Sequence, residues 1–180
     1  MKKLFILLVV VFTTCSITIA QPRAIGGRLP ILSYGVSYQH GIGEKNMLQM
    51  DVDILGYYTG IQATVTYNWI FPIASWGIGD MNWYAGVGAG GGYAWSGWSW
   101  RYRYRILDDG FGSDWGSWGQ YGFVGVAGMG GVEMNFKFGL QVSFDFRPLI
   151  GPCFYKGGGA GYFLDGLFSG AINFGVRYKF

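Results

Sequence analysis

Asp51, Asp53, Glu133 and Asp145 carry carboxylates, Arg147 and Arg177 carry guanidinium groups, and all six fall in stretches whose residue types alternate with period two. Gathered into one enclosure, paired carboxylates can exchange protons as general acid and base. Facing arginines, the same carboxylates form ion pairs, since an unpaired buried charge is costly. Opposite charges are about equally plentiful here, so the expected arrangement is a structural salt-bridge network, with acid–base work as the alternative.

His40 is the single histidine, and any histidine-dependent hydrolysis rests on it. Ser37 stands three residues away, which places the two side chains on opposite faces of a strand. A histidine near a turn or an interfacial belt is the simpler expectation. Cys153 follows the same logic: with Cys15 inside the N-terminal segment expected to be an export signal, it is left without an intramolecular disulfide partner and cannot alone form a thiolate metal site.

The segment Trp98, Ser99, Trp100, Arg101, Tyr102, Arg103, Tyr104, Arg105 alternates aromatic residues with serine and then arginine. In extended form it presents aromatics on one side and Arg101, Arg103 and Arg105 on the other. Arginines suit lipid phosphates and aromatic faces suit sugars or a partner chain, so the segment is a candidate surface ligand site. The alternative is a strand running past a membrane whose arginines meet headgroups without specificity. Asp108, Asp109 and Asp114 suggest calcium only weakly, because Asp-Asp-Gly is common in turns. The glycine clusters at 88–92 and 157–159 lack the Lys-Ser/Thr ending and the strand-to-helix setting of a nucleotide loop. No cofactor and no metal are expected.

The elements that must hold these residues are constrained by composition. Glycine accounts for 33 of 180 residues, aromatics for 19% and charged residues for only 13%, against about 7% glycine and about 25% charge in ordinary proteins. The N-terminus resembles an export signal: Lys2 and Lys3, an apolar run from Leu4 to Phe12, then Thr18-Ile19-Ala20 as a small-residue cleavage site. Residues 1–20 are therefore expected to be a signal peptide and 21–180 one domain. Setting Lys2 and Lys3 aside leaves 11 basic against 10 acidic residues, which gives no electrostatic case for nucleic acid.

After residue 20 no apolar stretch reaches the about 20 residues of a membrane helix. Alternation is pervasive instead. Ile172, Phe174, Val176, Tyr178 and Phe180 oppose Ala171, Asn173, Gly175, Arg177 and Lys179. Leu140 to Phe146 oppose Gln141 to Arg147 in the same way, as do Ile61 to Trp69 against Gln62 to Asn68, and Leu48 to Ile54 against Gln49, Asp51 and Asp53. Aromatics bunch at segment ends (Trp69, Phe71, Trp83, Phe136, Phe138, Tyr178 and Phe180), as in an interfacial girdle. Together these predict an antiparallel transmembrane β-barrel of eight strands, the polar faces lining its lumen. Turns are expected at Gly41–Lys45, Ile73–Met81 and Asn135–Lys137. Long outer loops are expected at Ser96–Trp118 and Gly151–Leu167, with a short first strand over Arg23–Leu29.

The ending Gly175-Val176-Arg177-Tyr178-Lys179-Phe180 resembles the C-terminal signature of outer-membrane β-barrels, in which alternating apolar positions (Phe174, Val176, Tyr178) lead to a final aromatic read by the barrel-assembly machinery. The stretches GVSYQHG (35–41), NWYAGVG (82–88) and LQVSFDFRP (140–148) resemble a family of small outer-membrane barrel proteins of Bacteroides-type bacteria. That resemblance implies a Gram-negative outer membrane, with lipid and lipopolysaccharide as surroundings. It carries no activity over to any residue. The functional expectation is a non-enzymatic structural or surface-binding barrel whose loops take a glycan or protein ligand. A narrow pore and a lipid A-modifying enzyme are the alternatives.

Overall fold

The computed structural model describes residues 20–30, 33–55, 60–95, 104–106, 120–156, 158–165 and 171–180. Among them the alternating segments all form strands: β1 (Ala20–Pro30), β2 (Ser33–Ile42), β3 (Asn46–Leu55), β4 (Gly60–Trp76), β5 (Gly79–Ala94), β6 (Tyr104–Ile106), β7 (Tyr121–Phe136), β8 (Leu140–Phe146), β9 (Leu149–Tyr155), β10 (Ala160–Asp165) and β11 (Ile172–Lys179). All pairings are antiparallel, and β1–β2–β3–β4–β5–β7–β8–β11 returns to β1 through pairs from Ala24↔Lys179 to Pro30↔Asn173. Closure joins all eight wall elements into a ring without a free edge strand, save for the end of β4 that runs past β3.

Two of the eight wall elements are interrupted. Between β8 and β9 the register against β7 is unchanged, with Gly130 facing Phe146 and Ala127 facing Leu149. They form one element broken at Arg147–Pro148, where proline has no N–H to give the ladder. β10 and β11 are likewise successive parts of the last element. Leu149 faces Asp165 whereas Phe146 faces Ile172, so three residues on one side correspond to seven on the other. The excess lies in the neighbourhood of 166–170, outside the described residues.

Three expectations about length need correction. Gly151–Leu167 is not an open loop but largely the β9–β10 pair, turning at Gly158 and Gly159 with φ of 92° and 102°. Its glycines and Pro152 hide the period that would have revealed strands. The Ile73–Met81 connection is also mostly strand, because β4 continues to Trp76 and β5 begins at Gly79. The first strand is 11 residues long rather than short, since residues 20–22 pair with β2 as well.

The short turns at 43–45, 77–78 and 137–139 share one end of the barrel with the start of β1 and the end of β11; this is the turn end. At the opposite, loop end β3 and β5 finish and β4 and β7 begin. Outward residues form three zones. Trp69, Phe71, Trp83, Phe138, Tyr178 and Phe180 are exposed at the turn end. There Phe71 stacks on Trp83 at 4.2 Å and Phe136 on Phe138 at 5.2 Å between ring centroids. Tyr34, Tyr93, Trp95, Phe154 and Tyr162 are exposed toward the loop end. Between these belts lie aliphatic and small residues such as Val36, Val52, Val65, Val87, Val126 and Val176.

Inside, the polar halves of the alternating segments are buried. Toward the loop end the filling becomes apolar: Leu55, Ala94, Tyr121, Phe123, Leu149 and Cys153 pack as one cluster. Inward glycines admit the larger groups. A Cβ on Gly131 would stand 2.8 Å from the Tyr84 hydroxyl, and one on Gly175 would stand 2.6 Å from Ser143 Oγ.

Candidate functional site: the charged lumen

β3 projects Asp51 and Asp53 inward two residues apart, and the end of β8 projects Asp145 and Arg147 in the same way. Arg147 Nη1 and Nη2 donate to Asp51 Oδ2 and Asp53 Oδ2, each at 2.7 Å. β1 adds Arg28, whose Nη1 lies 2.6 Å from Asp51 Oδ2 and 3.6 Å from Asp53 Oδ2, with Nη2 3.6 Å from Asp145 Oδ1. The Arg28 nitrogens are not aligned for hydrogen bonds to these oxygens, so the guanidinium acts there as a charge. Tyr84 and Asn173 donate to Asp145, at 3.3 and 3.0 Å.

A second cluster lies nearer the turn end. Glu133 accepts from both terminal nitrogens of Arg23, from Asn135 and Asn82 at 2.9 and 3.1 Å, and from Gln141 at 3.2 Å. Arg23 also donates to Gln39 at 2.9 Å, and Gln39 donates in turn to Gln49 at 3.0 Å. Arg177 joins the two levels. Its Nε donates to Ser37 at 2.9 Å and its Nη1 to Ser143 at 2.7 Å.

The described lumen therefore balances Asp51, Asp53, Glu133 and Asp145 against Arg23, Arg28, Arg147 and Arg177. Every carboxylate has a guanidinium within ion-pair distance. All four carboxylates are at most 1% exposed, so none presents a side to a substrate, although Asp53 Oδ1 accepts no hydrogen bond. The arrangement is the salt-bridge network rather than an acid–base pair.

No protein-family model, curated protein or solved structure matches this chain. The site is thus read from its own geometry.

All six lumen charges expected from the sequence come together. Two arginines were missed. Arg28 carries the signal that identified the others, since Ala24, Gly26 and Arg28 alternate with Ile25, Gly27 and Leu29. Arg23 does not: by parity it belongs with outward Ile25. A bulge between Pro22 and Ala24 turns it inward.

Other candidates separate. His40 is half-buried on the face opposite Ser37, its Nδ1 2.9 Å from the Tyr38 hydroxyl. Ser37 is occupied by Arg177, so the two form no catalytic pair. Phe174, Val176, Tyr178 and Phe180 all face outward, and the Phe180 N–H donates to Arg23 O at 3.1 Å. Trp98, Trp100, Arg101, Tyr102 and Arg103 lie outside the described residues, as do Asp108, Asp109, Asp114 and residues 1–19 of the expected signal peptide at 1–20. The backbone of Tyr104 and Arg105 belongs to β6, which pairs with β10 opposite Asp165 and Leu164.

Proposed function

We propose that this chain is a non-enzymatic outer-membrane β-barrel of a Gram-negative bacterium, its turn end toward the periplasm and its long loops outside. The observation that carries the reading is the outward face. Among residues whose side chains are described, every Asp, Glu, Lys and Arg between the two aromatic belts points inward, and the outward positions are apolar or aromatic. On β5 the belts are marked by Trp83 and Tyr93, about 33 Å apart along the strand at the usual rise. Tilted by about 40°, that corresponds to about 25 Å of height, the apolar band of an outer-membrane barrel. A water-soluble barrel has no need to expose so many large apolar side chains in one continuous zone.

Within this reading the barrel is a structural or surface-binding protein rather than a diffusion channel. An eight-stranded barrel leaves room for little beyond its own side chains, and here Arg28, Gln49, Asp53 and Arg177 are at most 1% exposed. Lipid and lipopolysaccharide surround the wall, the assembly machinery reads the outward Phe174–Phe180 alternation, and a glycan or protein ligand meets the loops around Trp98–Arg105. The lipid A enzyme reading loses its residues, because His40 faces away from Ser37.

The deciding experiment is SDS gel mobility of the outer-membrane fraction with and without boiling. A heat-dependent shift of this chain in that fraction is the expected result. A soluble periplasmic protein without the shift would end the membrane reading.

A further inference from the structure

At the turn end the lumen opens into a cavity of about 690 Å³. Its floor is the Arg23–Glu133 cluster, where Asn82 is partly exposed to the cavity and Asn135 lies buried beneath it, bonded to Glu133 and Gln141. Below that floor the lumen is filled, so the cavity is a blind vestibule. Its tall wall is the β4–β5 hairpin, which continues beyond the last β3–β4 pair at Asn46↔Trp69 and contributes Ile70, Pro72 and Ile73. Pro72 offers no N–H on this exposed flank, and a bulge separates it from Ala74, so the wall is protected against strand addition. Whatever enters is therefore held by side chains.

Charged side chains of both signs ring the mouth. Glu44 and Lys45 come from the β2–β3 turn and Lys179 from β11, and neither ammonium is engaged by a side chain among the described residues. Asp80 stands on the hairpin, fixed by a hydrogen bond from Ser75 Oγ at 2.5 Å. Arg23 is already compensated by Glu133. A small inorganic anion would use the lysines but leave Asp80, the floor amides and the apolar wall unused.

We propose that the vestibule is a binding site for short peptides with free termini. The C-terminal carboxylate meets Lys45 and Lys179, the amino terminus meets Asp80, a peptide N–H meets the side-chain oxygen of Asn82, and small apolar side chains lie against Ile70, Pro72 and Ile73. The volume falls within the range of small-ligand pockets, about 300–1,000 Å³. Long flexible lysines at an open mouth give modest ion pairs, so the affinity is weak and specificity comes from using both charges at once.

The test is titration of trialanine into the full chain refolded in detergent micelles, following the side-chain amide resonances of Asn82 and Asn135 by NMR. Saturable shifts of both are expected, with binding weakened about fivefold or more by Lys45→Ala combined with Lys179→Ala, and by amidating the peptide's C-terminus. Asp80→Asn is expected to weaken trialanine but not N-acetyl-trialanine. Heat-dependent gel mobility verifies that each variant is folded, and either variant alone decides. Absence of saturable shifts, equal affinity for acetate or phosphate, or binding unchanged by the substitutions would overturn the proposal. The result stands apart from the membrane reading, because the vestibule exists in the barrel wherever the barrel resides.

Discussion

Arg147 Nη2 lies 2.7 Å from Asp53 Oδ2 although β8 and β3 are four strands apart in a ring of eight. The contact spans the barrel's diameter, with Asp51 held by the other prong of the same guanidinium at 2.7 Å. A charge pair across the diameter closes the lumen and fixes opposite walls at a set distance.

Removing Arg147 leaves Asp51 and Asp53 sharing Arg28 alone, whose contacts are not aligned hydrogen bonds. Arg147→Ala is expected to destabilise the barrel by about 3–5 kcal/mol, the range for breaking a buried pair. Urea unfolding in micelles, followed by tryptophan fluorescence, measures it. Combining Asp51→Asn, Asp53→Asn and Arg147→Met is expected to recover much of the loss, because the remaining Arg28 still has Asp145 as its counter-charge.

The filled lumen predicts no steady conductance when the protein is reconstituted into planar bilayers. Single-channel recording checks this directly. A stable open level in the unmodified protein would show that the Arg147–Asp53 contact does not close the passage.

A charge placed on the outward face separates a lipid-facing wall from a water-facing one. Val87 is 56% exposed midway between the belts. Val87→Arg is expected to cost about 2–4 kcal/mol in phospholipid bilayers, the depth-dependent cost of a midplane arginine. For a water-facing wall the same change is close to neutral. Unfolding titrations of bilayer-refolded protein distinguish the two.

Gly131 is required by its neighbours rather than by backbone angle. A Cβ there would stand 2.7 Å from Asp145 Cβ as well as 2.8 Å from the Tyr84 hydroxyl. Gly131→Ala is expected to cost about 1–3 kcal/mol, as overpacking does. Tyr84→Phe is expected to relieve part of that cost in a double-mutant cycle, and strict additivity would show that the hydroxyl is not the obstacle.

Deleting Phe180 removes one outward aromatic and one backbone hydrogen bond to Arg23. Refolding in micelles is expected to be nearly unaffected, while under the proposed outer-membrane reading the amount assembled in cells falls sharply. Comparing heat-shifted protein from the two preparations separates folding from assembly.

How much of this was legible beforehand can be seen strand by strand. In β3, β4, β8 and β11 polar residues recur at alternate positions often enough to assign each side chain to a face, which places Asp51, Asp53, Asp145 and Arg177 in the lumen from the sequence alone. Glycine erased that signal in the β9–β10 pair and in much of β5, because a residue without a side chain cannot declare which way it points. At Arg23 the parity rule misled, since one bulge residue shifts the count by one and reverses the face.

The sequence by itself determined the architecture and its polarity: antiparallel strands, an apolar outside, a charged inside and a final outward aromatic. It could do so because period two is a local property, set by backbone geometry within one strand. Only the tertiary structure decided which charges meet, that Arg147 reaches across to Asp53 while Arg23 turns to Glu133, and that the lumen ends blindly above a vestibule. Those outcomes depend on register around a closed ring and on how side-chain volumes fill a fixed diameter, and neither is a property of any one segment.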